Sequence, residues 1–330
     1  VRSRFSKNGN AVSKAGASHD APVFFPRSGL RWGLCCQFLD SPVRFRQATH
    51  RFSNTLGGSE SRIYLSKIVL SNAQALVDAI ERCAALGIHA FRITSQFMPL
   101  ATHPVSGYHP EDLPDWEEIE RTLLEASARS RTHDVRLSFH PDQFVVLNSE
   151  TERVVDASVM EMEHQAVVAR LVGAQALTLH GGGMAGGVDL AIERLERGID
   201  RLSADARGLL ALENDDRSFS PANLLPFCER TGIPFVYDVH HHRCKPDEMS
   251  IAEATSRCID TWEKREPWMH ISSPRLGWQS SNPRLHADFI DPEDVPSEWF
   301  GKTMTIDVEA KEKERAVLAI TRVMRERWRE

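Results

Sequence analysis

Eight short, largely apolar runs recur after Leu30, each divided from the next by a longer stretch, and this alternation restricts the fold more than any other feature. The runs cover residues 30–38, 89–97, 135–140, 176–180, 209–214, 235–241, 268–272 and 304–309. Their near-continuous apolar character predicts strands covered on both faces, as in parallel sheets packed by helices. Between them, residues 73–86 repeat apolar positions every three and four residues and stop at Gly87, a residue suited to a left-handed C-cap. Residues 154–172 and 251–262 behave likewise. The alternation predicts an α/β fold, a (β/α)8 TIM barrel, forming a single domain over 30–330. An open doubly wound sheet is the competitor. It usually shows a Gly-rich phosphate turn after its first strand, where this chain has Gln37-Phe38-Leu39-Asp40. Residues 1–29, with Asp20 the only acid and no sustained hydrophobic period, read as a flexible, mildly basic arm.

Charge and cysteine usage narrow the function classes. Lys+Arg 40 against Asp+Glu 46 gives a formal net charge of −6. That weighs against a body coated in basic charge for nonspecific DNA binding and leaves a local basic groove open. No run approaches the roughly 18 apolar residues of a membrane span, and the first residues lack the apolar core of a secretion signal. No membrane partner is expected, and a cytoplasmic location follows, nucleoid-associated in a bacterium. Cysteines at 35, 36, 83, 228, 244 and 258 form no CxxC pair and read as reduced, mostly buried thiols. Nothing points to an obligate protein partner.

In a barrel the chemistry projects from the C-terminal ends of the strands. Here those ends carry His140, His180, Glu213, Asp238 with His241 three residues later, His270 with His286 in the following loop, and Glu309. A lone histidine at a strand end is ordinarily a hydrogen-bonding or solvated residue. Recurrence on six strands makes independent accident implausible. The mixed N/O donors suit Mn, Zn or Fe, and eight candidates exceed what one tetrahedral ion uses, so two or three divalent ions are expected. After the fourth run, His180-Gly181-Gly182-Gly183 with Gly186-Gly187 reads equally as a phosphate cradle or a flexible turn.

Jointly these motifs resemble the UV damage endonucleases, DNA repair enzymes of TIM-barrel fold related to endonuclease IV. The resemblance rests on SFHPDQFVVLNS at 138–149, LHGGG at 179–183, LENDD at 212–216, the Asp238–His241 spacing, HISSPR at 270–275 and HADFI at 286–290. It implies incision of damaged double-stranded DNA immediately 5′ to cyclobutane pyrimidine dimers or 6-4 photoproducts, with manganese and with Zn or Fe as substitutes. It further implies one ion on His140, His180 and Glu213, a second among Glu213, Asp238, His270 and Glu309, and a third on His241 and His286, with Asp288 a weaker candidate. Glu213 and His103 are its catalytic candidates. Gln143, Phe144 and Gln37 are its lesion-contacting ones. Arg217, Arg243, Lys245, Arg275 and Arg284 in the rim loops read equally as phosphate contacts or as solvated charges. The chain departs from the family pattern at Phe144, where Tyr is usual, at Gln37, where Asn is expected, and at Trp268, in place of a Lys that assists the metal centre. Other readings are an abasic-site endonuclease of the endonuclease IV kind, a metal-dependent sugar isomerase, and a damage-binding protein without turnover.

Overall fold

The computed structural model describes residues 29–327, so the expected arm lies, but for Gly29, outside the described residues. Eight parallel strands close into a barrel in sequence order. They are β1 (Leu30–Cys35), β2 (Ala90–Ile93), β3 (Arg136–Phe139), β4 (Ala176–His180), β5 (Leu210–Glu213), β6 (Phe235–Asp238), β7 (Trp268–Ile271) and β8 (Met304–Val308), and β8 pairs back onto β1. The outer ring comprises α1 (His50–Leu56), α2 (Gly58–Leu86), α3 (Trp116–His133), α4 (Glu152–Val172), α5 (Val188–Asp200), α6 (Ala204–Leu209), α7 (Pro221–Thr231), α8 (Val239–Cys244), α9 (Ile251–Thr261) and α10 (Lys313–Arg327). Between β7 and β8 there are only two 3-10 turns. Among the described residues no helix is long and apolar enough to cross a membrane.

Several runs stop as strands before their polar ends. Residues 239–241 leave the ladder to begin α8, and His140 and Glu309 lie just beyond β3 and β8. The helix read at 73–86 is the second half of α2, whose 29 residues begin at the Gly57-Gly58 pair, which looks like a break in sequence. Gly87 caps it at φ +69°, its N–H directed to the carbonyls of Cys83 and Ala84. The left-handed angle is the one that glycine adopts without a Cβ penalty.

The strands are covered on both faces, as expected, but the inner cover is not uniformly apolar. Side chains alternate along a strand, and the outward set, including Trp32, Leu34, Phe91, Ile93, Leu137, Phe139 and Ile306, packs under the helices in the main core. The inward set of β1, β3 and β8 is instead Arg31, Gly33, Cys35, Arg136, Ser138, Thr305 and Asp307, and β2 adds Ala90 and Arg92. The floor is ionic. Glu266, just ahead of β7, accepts from Arg31 Nε at 2.9 Å and from Thr305 Oγ1 at 2.6 Å, and lies 3.3 Å from Arg136 Nη1. Arg136 also donates to the Glu266 carbonyl at 3.0 Å and stacks 4.1 Å above the Trp268 ring.

A buried charge survives when it is paired, and removing its partner is costly. Glu266→Ala would leave the Arg136 guanidinium without its carboxylate partner in the barrel floor and Arg31 with Asp134 alone. Urea unfolding should show a loss of about 3–5 kcal/mol; a loss below about 0.5 kcal/mol, the scale of an ordinary surface change, would contradict this account of the floor.

Candidate metal centre

At the C-terminal mouth the structure gathers the strand-end residues around one carboxylate. Glu213, at the end of β5, is wholly buried. Its Oε2 lies 2.8 Å from His140 Nε2 and 3.3 Å from His180 Nε2, and its Oε1 lies 2.9 Å from His270 Nδ1 and 3.5 Å from His241 Nδ1. Strand register helps to build this, since His180 pairs with Glu213 and Asp238 with His270 across neighbouring strands. Asp238 also caps α8: its Oδ1 accepts the His241 backbone N–H at 2.7 Å, while its buried Oδ2 has no hydrogen-bond partner and stands 3.5 Å from His241 Nδ1. One helical turn thereby brings His241 over the acid that starts it.

Two ligand triads lie within reach of a single ion each: His140 with His180 and Glu213, and Glu213 with Asp238 and His241. The donor chemistry fits cations. His140 Nδ1 lies 3.1 Å from the Pro141 carbonyl and its Nε2 2.8 Å from Glu213, so one neutral imidazole faces two acceptors with one proton. A cation between Nε2 and Glu213 resolves that conflict. Glu309 stands beside this cluster, 3.6 Å from both His270 Nδ1 and His286 Nδ1, with Oε1 accepting from Arg92 at 2.6 Å. His241 is drawn to Glu213 and Asp238, while its ring centroid is 6.4 Å from that of His286.

The remaining candidates lie farther out. His103, on the loop after β2, stacks on His50 at 4.3 Å and accepts the Val105 and Ser106 N–H groups. Gln37 is exposed and lines a 280 Å³ cleft with Cys36, Phe38, Thr94 and Gln96. Gln143 and Phe144 form the tip of a turn in which Asp142 accepts the Phe144 and Val145 N–H groups, and Phe144 is 77% exposed. Asp288 is exposed. Arg243 and Arg284 are engaged with Asp294 and Asp216, whereas Arg275 is exposed. The glycine turn after β4 is packed against protein: a Cβ on Gly182 would stand 2.2 Å from Asn148 Oδ1, and the Asn148 amide pairs with both backbone groups of Gly183. Trp268, wholly buried, brings no ligand atom to the mouth.

Three residues at the centre carry no mark in the strand-end reading. Arg92 neutralises Glu309, Asn214 clamps Asp238 through two backbone bonds at 2.8 and 3.0 Å, and Asp307 lies behind His270. A charge inside an otherwise apolar run was the available signal for Arg92 and Asp307.

Burial disfavours the charged form of each imidazole, and in His140 it prevails, holding the ring below its ordinary value. In His270 burial acts the same way, but Glu213, then Glu309 and Asp307, outweigh it and push the ring up to about 9. For Glu213 burial acts upward and is overcome by His270 and His180, which hold the carboxyl well below its usual range. With metal chelated, the raised His270 contributes stability that is complete below pH 6.5 and lost as pH climbs to about 9. The depressed Glu213 contributes above pH 4.5 and loses that contribution on acidification. The Tm of the chelated protein should therefore fall from pH 6.5 to 9, and adding Mn²⁺ should release protons and flatten the fall. A chelated Tm that stays level across this range would contradict the ionised His270–Glu213 pair.

Comparison with known proteins bears on the substrate. The family model described as UV-endonuclease UvdE matches residues 30–328. The UV DNA damage endonuclease of Deinococcus radiodurans is 35% identical over 300 residues, covering 87% of this chain and 93% of the relative. The crystal structure of SacUVDE superposes with a TM-score of 0.80 at 28% identity, covering 90% of this chain and 98% of its own. Endonuclease IV from Thermus thermophilus shares the fold, with a TM-score of 0.56 at 16% identity and coverage of 90% and 99%.

Proposed function

Because the chain belongs to the UV-endonuclease UvdE family, we propose that it nicks DNA beside UV photoproducts, hydrolysing the phosphodiester immediately 5′ to cyclobutane dimers and 6-4 products. The observation that carries this reading is the sharing of Glu213 among histidines from four segments of the barrel mouth. His140, His180 and Glu213 would hold one divalent ion, and Glu213, Asp238, His270 and Glu309 a second. A third would rest on His241 and His286, although the closeness of His241 to Asp238 also suits it to the second. Manganese, with zinc or iron as substitutes, fits this mixed set. Bound there, such ions supply Lewis acidity that activates water and offsets charge on the leaving 3′-oxygen.

The chain's own groups orient and exclude. Asn214 and the α8 cap fix Asp238, and Arg92 steadies Glu309. Glu213 is the catalytic carboxylate in this reading, while His103 and Gln37 belong to the loops that would meet the duplex. A photoproduct weakens stacking, so bending the helix and extruding the lesion costs less there than in intact DNA. The exposed Gln143–Phe144 tip suits the gap that opens, and a Phe ring fills it as well as a Tyr ring does, without the hydroxyl. Arg217, Lys245 and Arg275 are the phosphate contacts in this reading; the exposed Arg217 pairs only loosely with Asp216, whereas Arg243 and Arg284 are held more closely by carboxylates.

Labelled duplexes carrying a thymine dimer, a 6-4 product, an abasic site or no lesion, incubated with Mn²⁺, test the proposal. A nick 5′ to the photoproducts is expected. Selective abasic cutting would favour the endonuclease IV kind, binding without a nick the non-catalytic protein, and indifference to all four with aldose–ketose conversion the isomerase. Glu213→Ala and His180→Ala should each reduce nicking to background in a folded protein, and full activity of the Glu213 variant would remove the shared carboxylate from the mechanism. Gln143→Ala with Phe144→Ala should reduce the preference for damaged over intact DNA by about tenfold, since base–aromatic stacking contributes about 1–3 kcal/mol per base. Unchanged preference would remove the wedge.

A further inference from the structure

Behind the ligand cluster sits a carboxylate that the proposed ion sites leave unused. Asp307, on β8, is wholly buried, and neither of its side-chain oxygens has a hydrogen-bond partner. Its register partner on β7 is His270, whose Nε2 is also buried and also without a hydrogen-bond partner. The two face each other, Oδ2 to Nε2, across 3.6 Å. On the far side of the same ring, Nδ1 meets Glu213 at 2.9 Å and Glu309 at 3.6 Å. The neighbouring strand leaves room for this acid. Gly33 of β1 pairs with Asp307, and a Cβ on it would stand 2.4 Å from Asp307 Oδ1. Gly33 lies in regular strand without a positive φ, so its backbone does not require glycine, and space for the carboxylate explains it.

We propose that Asp307 is the positioning residue of His270. It accepts the Nε2 proton, fixing the ring in the tautomer whose Nδ1 lone pair points at the Glu213–Glu309 side. An imidazole can present a lone pair at Nδ1 only when its single proton is on Nε2, and a buried N–H needs an acceptor. A buried carboxylate without donors is equally unfavourable, and a small approach of ring and acid satisfies both. Partners of this kind orient metal-binding histidines and raise their basicity, and their loss lowers metal affinity by about 10–100-fold. The inference rests on His270 being a ligand, as proposed above.

Zinc, which is diamagnetic, is the probe. Wild-type protein, Asp307→Asn, Asp307→Ala and Gly33→Ala are titrated with Zn²⁺ without DNA, and imidazole ¹⁵N shifts of His270 are recorded in the loaded state. Wild type should show His270 protonated at Nε2 and metal-bound at Nδ1. Asp307→Ala should weaken one bound equivalent by about 10–100-fold and lose that signature. Asp307→Asn, whose amide oxygen still accepts the proton, should weaken it less. Gly33→Ala, which crowds the acid without removing it, should act in the same direction as the Asp307 variants and provides the decision should Asp307→Ala fail to fold. Wild-type zinc affinity and an unchanged His270 signature in whichever of Asp307→Ala and Gly33→Ala folds would overturn the proposal, as would a wild-type ring bound through Nε2. Neither readout involves nicking. Absence of nicking with intact zinc binding would count against the repair reading alone, and the reverse result against this one alone.

Discussion

The Glu213 carboxylate is the group on which the rest of the arrangement turns. It is buried without a surface route to neutralisation, and its two oxygens face different partners, His140 and His180 on one side, His241 and His270 on the other. A buried anion among several imidazoles, with Asp238 and Asp307 also buried nearby, favours positive charge in its surroundings, supplied either by protons on the rings or by cations between them. That competition couples metal binding to pH and gives two neighbouring ions a common ligand. Everything else at the mouth adjusts around it: the cap of α8 brings His241 over Asp238, Asn214 holds Asp238 from the backbone, and Arg92 occupies one oxygen of Glu309.

Below that mouth the barrel interior is polar where a simple reading of buried strands expects oil. Arg31, Arg136, Glu266 and Thr305 form a closed ionic floor. Trp268 covers part of it as the surface on which Arg136 lies, a packing role. Asp307 and Gly33 lie in the register between floor and ligands. The apolar burial that stabilises the fold is therefore on the other face of the sheet, under the helices, where Trp32, Phe91, Phe139 and Ile306 pack. This division leaves the inside of the barrel available for charge.

Much of this was legible from residue order. Eight apolar runs in series place eight strands, and their polar ends identify the residues that meet at the mouth. The runs did not reveal which face each buried residue takes. Arg92 and Asp307 are charges inside apolar stretches, and only strand parity turns them inward. His241 was read as a strand residue because Phe235, Val236, Tyr237 and Val239 keep the run apolar, whereas Asp238 accepts the His241 N–H and starts a helix there. The glycines after β4 signalled a close approach, and the neighbour turned out to be Asn148 rather than an open cradle. The neighbours of His103 were not legible in its motif, because they include His50, far away in sequence.

Anomalous diffraction from a crystal soaked in Mn²⁺ tests the central claim most directly, because it locates ions without reference to activity. Peaks are expected on both sides of the Glu213 carboxylate, one beside His140 and His180 and another beside Asp238 and His270. A lone peak bound by Glu309 and His286 with Glu213 unligated, or no peak at the barrel mouth at full manganese loading, would contradict the shared-carboxylate centre.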